Sequence, residues 1–177
     1  MILENKSSGL SAFALALLAG SLSPAASATD AEFNATLSEA ATRVVTARTV
    51  KELCDERSPQ SESARRDALA SWSHRNDIAD YDKVISELVR NSEAFRKEME
   101  GNLTRARTQI ASPLAADPAP CADLATFLAD EKYAIKPLVR KLRRLAGNYG
   151  LDLARAPADS AQANLQIRGL AHLTVLA

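Results

Sequence analysis

The stretch YDKVISELVRNSEAFRKEMEGNLTRARTQI, residues 81–110, repeats an apolar side chain every three or four positions. This spacing places those side chains on one face of a helix and leaves charged residues on the other faces. We call the series the seam; it consists of Tyr81, Ile85, Leu88, Ser92, Phe95, Met99, Leu103, Ala106 and Ile110, with Ser92 as its weak point. A near-heptad period is typical of a helix that packs along a second helix. The seam therefore predicts an α-helical protein.

The chain before and after the seam alternates between helical patterns and breaks. Residues 30–56 carry an apolar stripe at helical spacing, and Pro59 ends it because proline cannot continue a helix. After the seam, residues 111–120 contain three prolines and are predicted to form a loop or extended linker. Helical patterns are therefore predicted on both sides of the seam.

Two further helices are predicted near the C-terminal end of this region. The first begins at Cys121. The second covers residues 135–145, where Pro137 suits the first turn and Gly147 or Gly150 suits the end. Together the patterns predict an all-α fold, an antiparallel bundle of four to five helices.

The N-terminus is typical of a secretory signal peptide. A short polar start carries Lys6, residues 10–22 form an apolar run, and an Ala-Ser-Ala site ends at Ala28. The run is shorter than the roughly 20 apolar residues that a membrane span needs. We predict cleavage after Ala28 and a periplasmic or secreted mature chain, with a helical domain over residues 29–150 and an Ala-rich tail over residues 151–177; an uncleaved anchor is the alternative.

The net charge is zero, but the charged residues are unevenly distributed. Residues 29–100 contain 15 Asp and Glu against 11 Lys and Arg, whereas residues 101–177 contain 6 against 10. The two parts could attract each other within the molecule, or the second could face an anionic partner. A neutral, exported chain without a nucleic-acid motif is not expected to bind nucleic acid.

Two cysteines, Cys54 and Cys121, are predicted to form an intramolecular disulfide, because exported proteins meet oxidising conditions. If residues 64–110 formed one straight helix of about 70 Å, the two cysteines could not meet, since eleven extended residues reach about 40 Å. The run must therefore bend, near residues 73–77 or at Gly101; otherwise the bridge is intermolecular. Two cysteines and two histidines without ligand spacing predict neither a metal site nor a cofactor.

The only tryptophan lies in a polar cluster that could be structural or catalytic. Trp72 is predicted to be a core or interface anchor, and Arg75 and Asn76 are predicted to cap neighbouring helix ends or to bond a loop carbonyl. The alternative is a general base, His74, oriented by Asp77 at the i,i+3 spacing. Consecutive residues fan around a helix axis and do not converge, so the structural interpretation is favoured.

One basic patch is a candidate binding site. In the helix predicted over residues 135–145, an apolar stripe is bordered by Arg140, Lys141, Arg143 and Arg144. Such a helix could lie on an anionic membrane surface or bind an acidic protein. The simpler interpretation is a core helix whose basic residues face solvent or the acidic first part of the chain.

A short pattern of residues connects this chain to a group of proteins. It reads Cys54-x4-Pro59, then Ala68-Leu69-x2-Trp72-x2-Arg75-Asn76, then Cys121-x2-Leu124. The pattern resembles small exported helical proteins of Gram-negative bacteria, most of them uncharacterised, and covers about half of the mature chain. The resemblance implies a periplasmic helical domain with a paired cysteine, and it carries no activity with it.

The sequence favours a non-catalytic function. The main hypothesis is an exported helical protein that binds another protein in the cell envelope, as an inhibitor, an immunity-type protein or an adaptor. One alternative is a binder of membrane surfaces or anionic ligands that uses residues 135–145. The second alternative is a hydrolase that uses His74 and Asp77. Assembly into a homo-oligomer is left open.

Overall fold

The structure of the protein, a computed structural model, describes residues 28–149 and 151. Seven α-helices lie in this part of the chain: α1 (Ala28–Arg57), α2 (Glu62–Arg75), α3 (Ile78–Asn91), α4 (Glu93–Ala116), α5 (Ala119–Ala122), α6 (Leu124–Ala129) and α7 (Lys136–Ala146). No strand occurs among the described residues. Five helices are long, and α5 and α6 have only 4 and 6 residues. The prediction of an all-α bundle is confirmed.

Helix α1 is the centre of the bundle. It packs against α2, α4, α5 and α7. Because helices surround it, its apolar side chains point in several directions and do not form one stripe. Its buried apolar residues are Phe33, Leu37, Ala40, Ala41, Val44, Val45, Ala47, Val50, Leu53 and Cys54.

Helices α1 and α7 run antiparallel. Near the start of α1, the ring of Phe33 lies 4.4 Å from the ring of Tyr149, just after α7. Further along α1, Nη1 of Arg43 donates to the carbonyl of Ala134, just before α7, at 2.6 Å. The start of α1 therefore lies beside the end of α7, and the middle of α1 lies beside the start of α7. This is the antiparallel packing that was predicted.

The two cysteines form an intramolecular disulfide. Cys54 near the end of α1 is bonded to Cys121 in α5, and their Cα atoms are 5.1 Å apart. Cys54 is fully buried, whereas Cys121 is partly exposed. The predicted bridge is confirmed, and it encloses α2, α3 and α4 in one covalent ring of the chain.

The long proline-free run bends at two places. The first bend lies between α2 and α3, where Asp77 has a φ of 56°; it confirms the predicted bend near residues 73–77. The second lies at Ser92, whose hydroxyl caps α4 by accepting from the backbone N–H of Phe95 at 3.1 Å. The alternative prediction of a bend at Gly101 is wrong, because this residue lies inside α4.

The prediction of a loop over residues 111–120 is largely wrong. Helix α4 continues through Pro113 to Ala116, and α5 begins at Ala119. A proline inside a helix removes the hydrogen bond to the carbonyl four residues earlier. That carbonyl belongs to Gln109, an exposed residue, so water can take the place of the missing donor.

Replacing Gly101 with alanine is expected to stabilise the protein by about 1 kcal/mol. Gly101 is exposed in the interior of α4, and a Cβ atom added there would meet no atom within 4 Å. Alanine loses less backbone entropy than glycine when the helix forms. Urea denaturation followed by circular dichroism measures the change. A destabilised Gly101→Ala variant would show that this position has a requirement for glycine.

Candidate functional site

The His74 and Asp77 side chains lie near the bend between α2 and α3. His74 is exposed at the end of α2. The carboxylate of Asp77 faces Lys136, with an N–O distance of 3.3 Å. Among the described side chains, no hydrogen bond joins His74 to Asp77, and the hydrolase alternative stays a prediction.

Trp72 and Asn76 connect α2 to the start of α7. The indole Nε1 of Trp72 donates to the carbonyl of Tyr133 at 3.1 Å, and the ring is 1% exposed. One turn later, Oδ1 of Asn76 accepts from the backbone N–H groups of Ile135 and Lys136, at 2.8 and 3.2 Å. Asn76 therefore caps the N-terminus of α7, and Trp72 is an anchor in the core.

Arg75 has different hydrogen-bond partners from those of the adjacent Asn76. Its Nη1 atom donates to the hydroxyl of Ser71 in the same helix at 2.8 Å, and its side chain is exposed. The structure therefore shows neither the predicted cap nor the predicted bond to a loop carbonyl for Arg75. The physical reason is its position: it points to solvent, while Asn76 points to α7.

Replacing Asn76 with alanine is expected to lower the free energy of unfolding by about 3 kcal/mol. The change leaves the backbone N–H of Ile135, a fully buried residue, without its acceptor. Urea denaturation measures the loss. Arg75→Ala is the matched control, since it removes an exposed side chain one position away and is expected to change stability by less than about 0.5 kcal/mol. Equal losses in the two variants would contradict the capping role.

A buried arginine that the sequence analysis did not single out joins α2 to α1. Arg65 is 3% exposed, and its Nε donates to Asp55 at 2.7 Å. Asp55 also accepts from Lys51 at 2.5 Å. The Nη1 atom of Arg65 is buried without a partner in the described part of the chain. This buried charge depends on Asp55 for its compensation.

The apolar face of α7 is covered by protein. Ile135, Val139 and Leu142 are 0% exposed, and α7 packs against α1 and α3. Leu138 and Leu145 are half-buried and also pack against the core. A helix that lies on a membrane buries its apolar face in the lipid interface. This helix has its apolar face in the bundle, so only its charges are left for a membrane contact.

The acidic first part of the chain and the basic second part form ion pairs with each other. Lys141 pairs with Glu32 of α1 at 2.8 Å, and Arg143 pairs with Asp80 of α3 at 2.9 Å. Lys141 lowers the pKa of the Glu32 carboxyl, first by hydrogen bonding and then by its charge. The remaining pairs between the two parts are Asp77 with Lys136, and Glu52 and Glu56 with Arg107. The predicted attraction between the two parts is therefore observed.

The four basic residues predicted as a binding patch are thus not equivalent. Lys141 and Arg143 have partners within the protein. Arg140 and Arg144 are exposed, and neither forms an ion pair or hydrogen bond with another described residue. They stand four positions apart, so they lie on one face of α7, one turn from each other.

The middle of the seam is less covered than its ends. Tyr81, Ile85, Ala106 and Ile110 are buried. By contrast, the side chains around the bend at Ser92 are only half-buried; these are Leu88, Phe95, Met99 and Leu103. We call these four residues the α3–α4 tip. Leu88, Phe95 and Leu103 pack against the core and still leave part of their side chains exposed, so the rest of the chain covers the apolar pattern of α4 only in part.

Ion pairs border the α3–α4 tip. Glu87 pairs with Arg90 in α3, and Glu93 pairs with Arg96 and Lys97 in α4. These ion pairs form within single helices, and Glu93 is shared by two cations. The tip therefore offers apolar contact bordered by paired charges.

The described region contains neither a cluster of metal ligands nor a helix suited to crossing a membrane. Within it, no three or more His, Cys, Asp or Glu side chains come together in a way that could hold a metal ion. None of its helices combines the length and hydropathy that a membrane crossing requires. The candidate surfaces are accordingly the α3–α4 tip and the outward face of α7.

Comparison of the chain with protein families, with curated proteins and with solved structures finds no match in any of the three. The resemblance to exported helical proteins of Gram-negative bacteria therefore stays a prediction.

Proposed function

We propose that this protein is an exported, non-catalytic helical module that binds another protein in the cell envelope, as an inhibitor, an immunity-type protein or an adaptor. The observation that carries the proposal is the α3–α4 tip, where an apolar series suited to helix packing is only half covered. Partner helices and grooves recognise such a face through anchors spaced three or four positions apart. Phe95, Met99 and Leu103 have this spacing on α4.

The proposed occupant of the tip is an apolar helix face of the partner. The bordering charges are already paired with one another, so an approaching surface needs no opposite charge. Met99 adds adaptability, because an unbranched thioether can adjust to different surfaces. An apolar helix of another protein would extend the packing that α3 and α4 already make.

Binding through the tip is tested with the mature chain, residues 29–177, immobilised and exposed to an envelope extract of its own cells. Proteins captured by the wild-type chain are identified by mass spectrometry. Met99→Glu places a charge at the centre of the tip and is expected to reduce capture about tenfold, the equivalent of about 1.4 kcal/mol. Circular dichroism of the variant shows that it is folded.

Thr108→Glu is the matched control. Thr108 is exposed on the same helix, nine positions from Met99 and on the opposite side of α4. Its replacement by Glu therefore adds the same charge away from the tip. Capture by this variant is expected to equal that of wild type. Equal capture by Met99→Glu and wild type would overturn the proposal.

Export is part of the proposal and has its own measurement. Cleavage after Ala28 would leave Thr29 as the first residue of the mature protein, next to Asp30 in the first turn of α1. Intact mass spectrometry of the protein from a periplasmic extract is expected to give the mass of residues 29–177. A full-length mass in the cytosol, with both thiols unpaired, would contradict export.

A further inference from the structure

We propose that Arg140 and Arg144 form a second docking surface, which binds an acidic segment of a protein partner through two carboxylates about one helical turn apart. The surface lies on α7 and not at the α3–α4 tip. It therefore stands on different residues and does not depend on the proposed function of the tip.

The position of the two arginines follows from the helix geometry. Successive residues of an α-helix are rotated by about 100°. Val139 and Leu142 face the core and are 0% exposed, so Arg140 and Arg144 fall on the opposite side of α7. They occupy the outward centre of the helix.

The neighbouring cations hold α7 in place from both sides. Lys141 is tied to Glu32 on α1, and Arg143 is tied to Asp80 on α3. Arg140 and Arg144 form no ion pair or hydrogen bond with a described residue, although the charge of Arg144 also helps to lower the pKa of Glu32. Two positive charges on a fixed helix, one turn apart, make a site with a defined spacing.

The chemistry of the pair favours carboxylates. A guanidinium group presents a planar set of donors that matches the two oxygens of a carboxylate. Carboxylates at positions i and i+4 of a partner helix have the same separation as Arg140 and Arg144. An acidic helix or an extended acidic segment with that separation would satisfy both arginines together.

The same observations disfavour a lipid surface. Binding of a helix to anionic lipid combines charge with burial of an apolar face. The apolar face of α7 is in the core, and Leu138 and Leu145 also pack there. The charge of two arginines alone attracts a membrane surface weakly, by about 1 kcal/mol for each cation. An acidic segment of a protein adds bidentate hydrogen bonds between its carboxylates and the guanidinium groups.

Photo-crosslinking in the native cells tests the proposal. The probe is benzoylphenylalanine at Pro137, an exposed position on α7 one turn before Arg140 and Lys141. We expect a crosslink to a protein, at a segment rich in Asp and Glu when mapped by mass spectrometry. Arg140→Glu combined with Arg144→Glu is expected to reduce the crosslink about tenfold, and reversing the mapped carboxylates to Lys is expected to restore it.

The control variant reverses the same number of charges on another helix. Arg66 and Arg75 are exposed on α2, and their joint replacement by Glu is expected to change the crosslink by less than about twofold. The proposal is overturned by a crosslink to phospholipid, by one to a segment without acidic residues, or by the absence of a crosslink. It is also overturned if the Arg140 and Arg144 reversal has no effect, or if the control variant loses as much.

Discussion

A variant with both Cys54 and Cys121 replaced by alanine is expected to be less stable than wild type by about 4 kcal/mol. The bridge joins residues 67 positions apart, and cross-linking a loop of that length removes much of the entropy of the unfolded chain. A single domain has about 5–15 kcal/mol of stability, so the loss would be a large part of the total. Urea denaturation followed by circular dichroism measures it.

Reduction of the wild-type protein gives the control for this prediction. Dithiothreitol is expected to shift the unfolding midpoint of wild type toward that of the double alanine variant and to leave the variant unchanged. If the variant is as stable as oxidised wild type, then helix packing alone determines the fold and the bridge contributes little.

Replacing Trp72 with alanine is also expected to cost about 4 kcal/mol. The indole is the largest fully buried side chain in the described region, and its removal leaves a cavity between α2 and the segment before α7. The lost hydrogen bond also leaves the carbonyl of Tyr133 without its donor. Since Trp72 is the only tryptophan, the measurement uses circular dichroism and not intrinsic fluorescence.

Trp72→Phe separates packing from hydrogen bonding. Phenylalanine keeps most of the apolar volume but has no N–H group for Tyr133, so a smaller loss of about 1–2 kcal/mol is expected. A loss in Trp72→Phe as large as that in Trp72→Ala would show that the hydrogen bond dominates. A loss below about 1 kcal/mol in Trp72→Ala would contradict the core role of this residue.

The end of α1 and the start of α7 could be predicted because local chemistry determines them. Proline cannot continue a helix, so α1 ends at Arg57, just before Pro59. Pro137 marks the start of α7 because its fixed φ suits the first turn of a helix, and Gly147 directly follows the last residue of α7. The disulfide could be predicted from the presence of two cysteines in a chain with a predicted signal peptide, and the first bend from the distance that the bridge requires.

The helix boundaries and breaks between α3 and the end of α4 were harder to predict. Ser92 is a suitable helix cap, because the hydroxyl of serine accepts from a backbone N–H group two or three positions later. The apolar pattern of the seam, however, indicated only a weak point at this position. Gly101 and Pro113 were expected to interrupt helices. Both are tolerated in α4 because one is exposed with free space around it and the other disturbs only a carbonyl that water can reach.

The candidate surfaces depend on tertiary contacts that a local pattern cannot supply. The sequence places four cations on the helix of residues 135–145, but only the fold brings Glu32 to Lys141 and Asp80 to Arg143. The half-buried state of the α3–α4 tip similarly depends on where the bundle ends. In contrast, the sequence predicted that Asn76 could cap a neighbouring helix, but it did not predict that this helix would be α7.

The covalent ring closed by Cys54 and Cys121 has a consequence for the protein under tension. If the oxidised molecule is pulled at residues 28 and 149, the load passes from α1 to α5 through the sulfur atoms, and α2, α3 and α4 carry none of it. The 66 residues between the cysteines, which stand 67 positions apart, would then contribute nothing to the extended length, which is shortened by roughly 230 Å. The backbone of the α3–α4 tip would therefore bear no covalent load in a molecule stretched between two anchoring points.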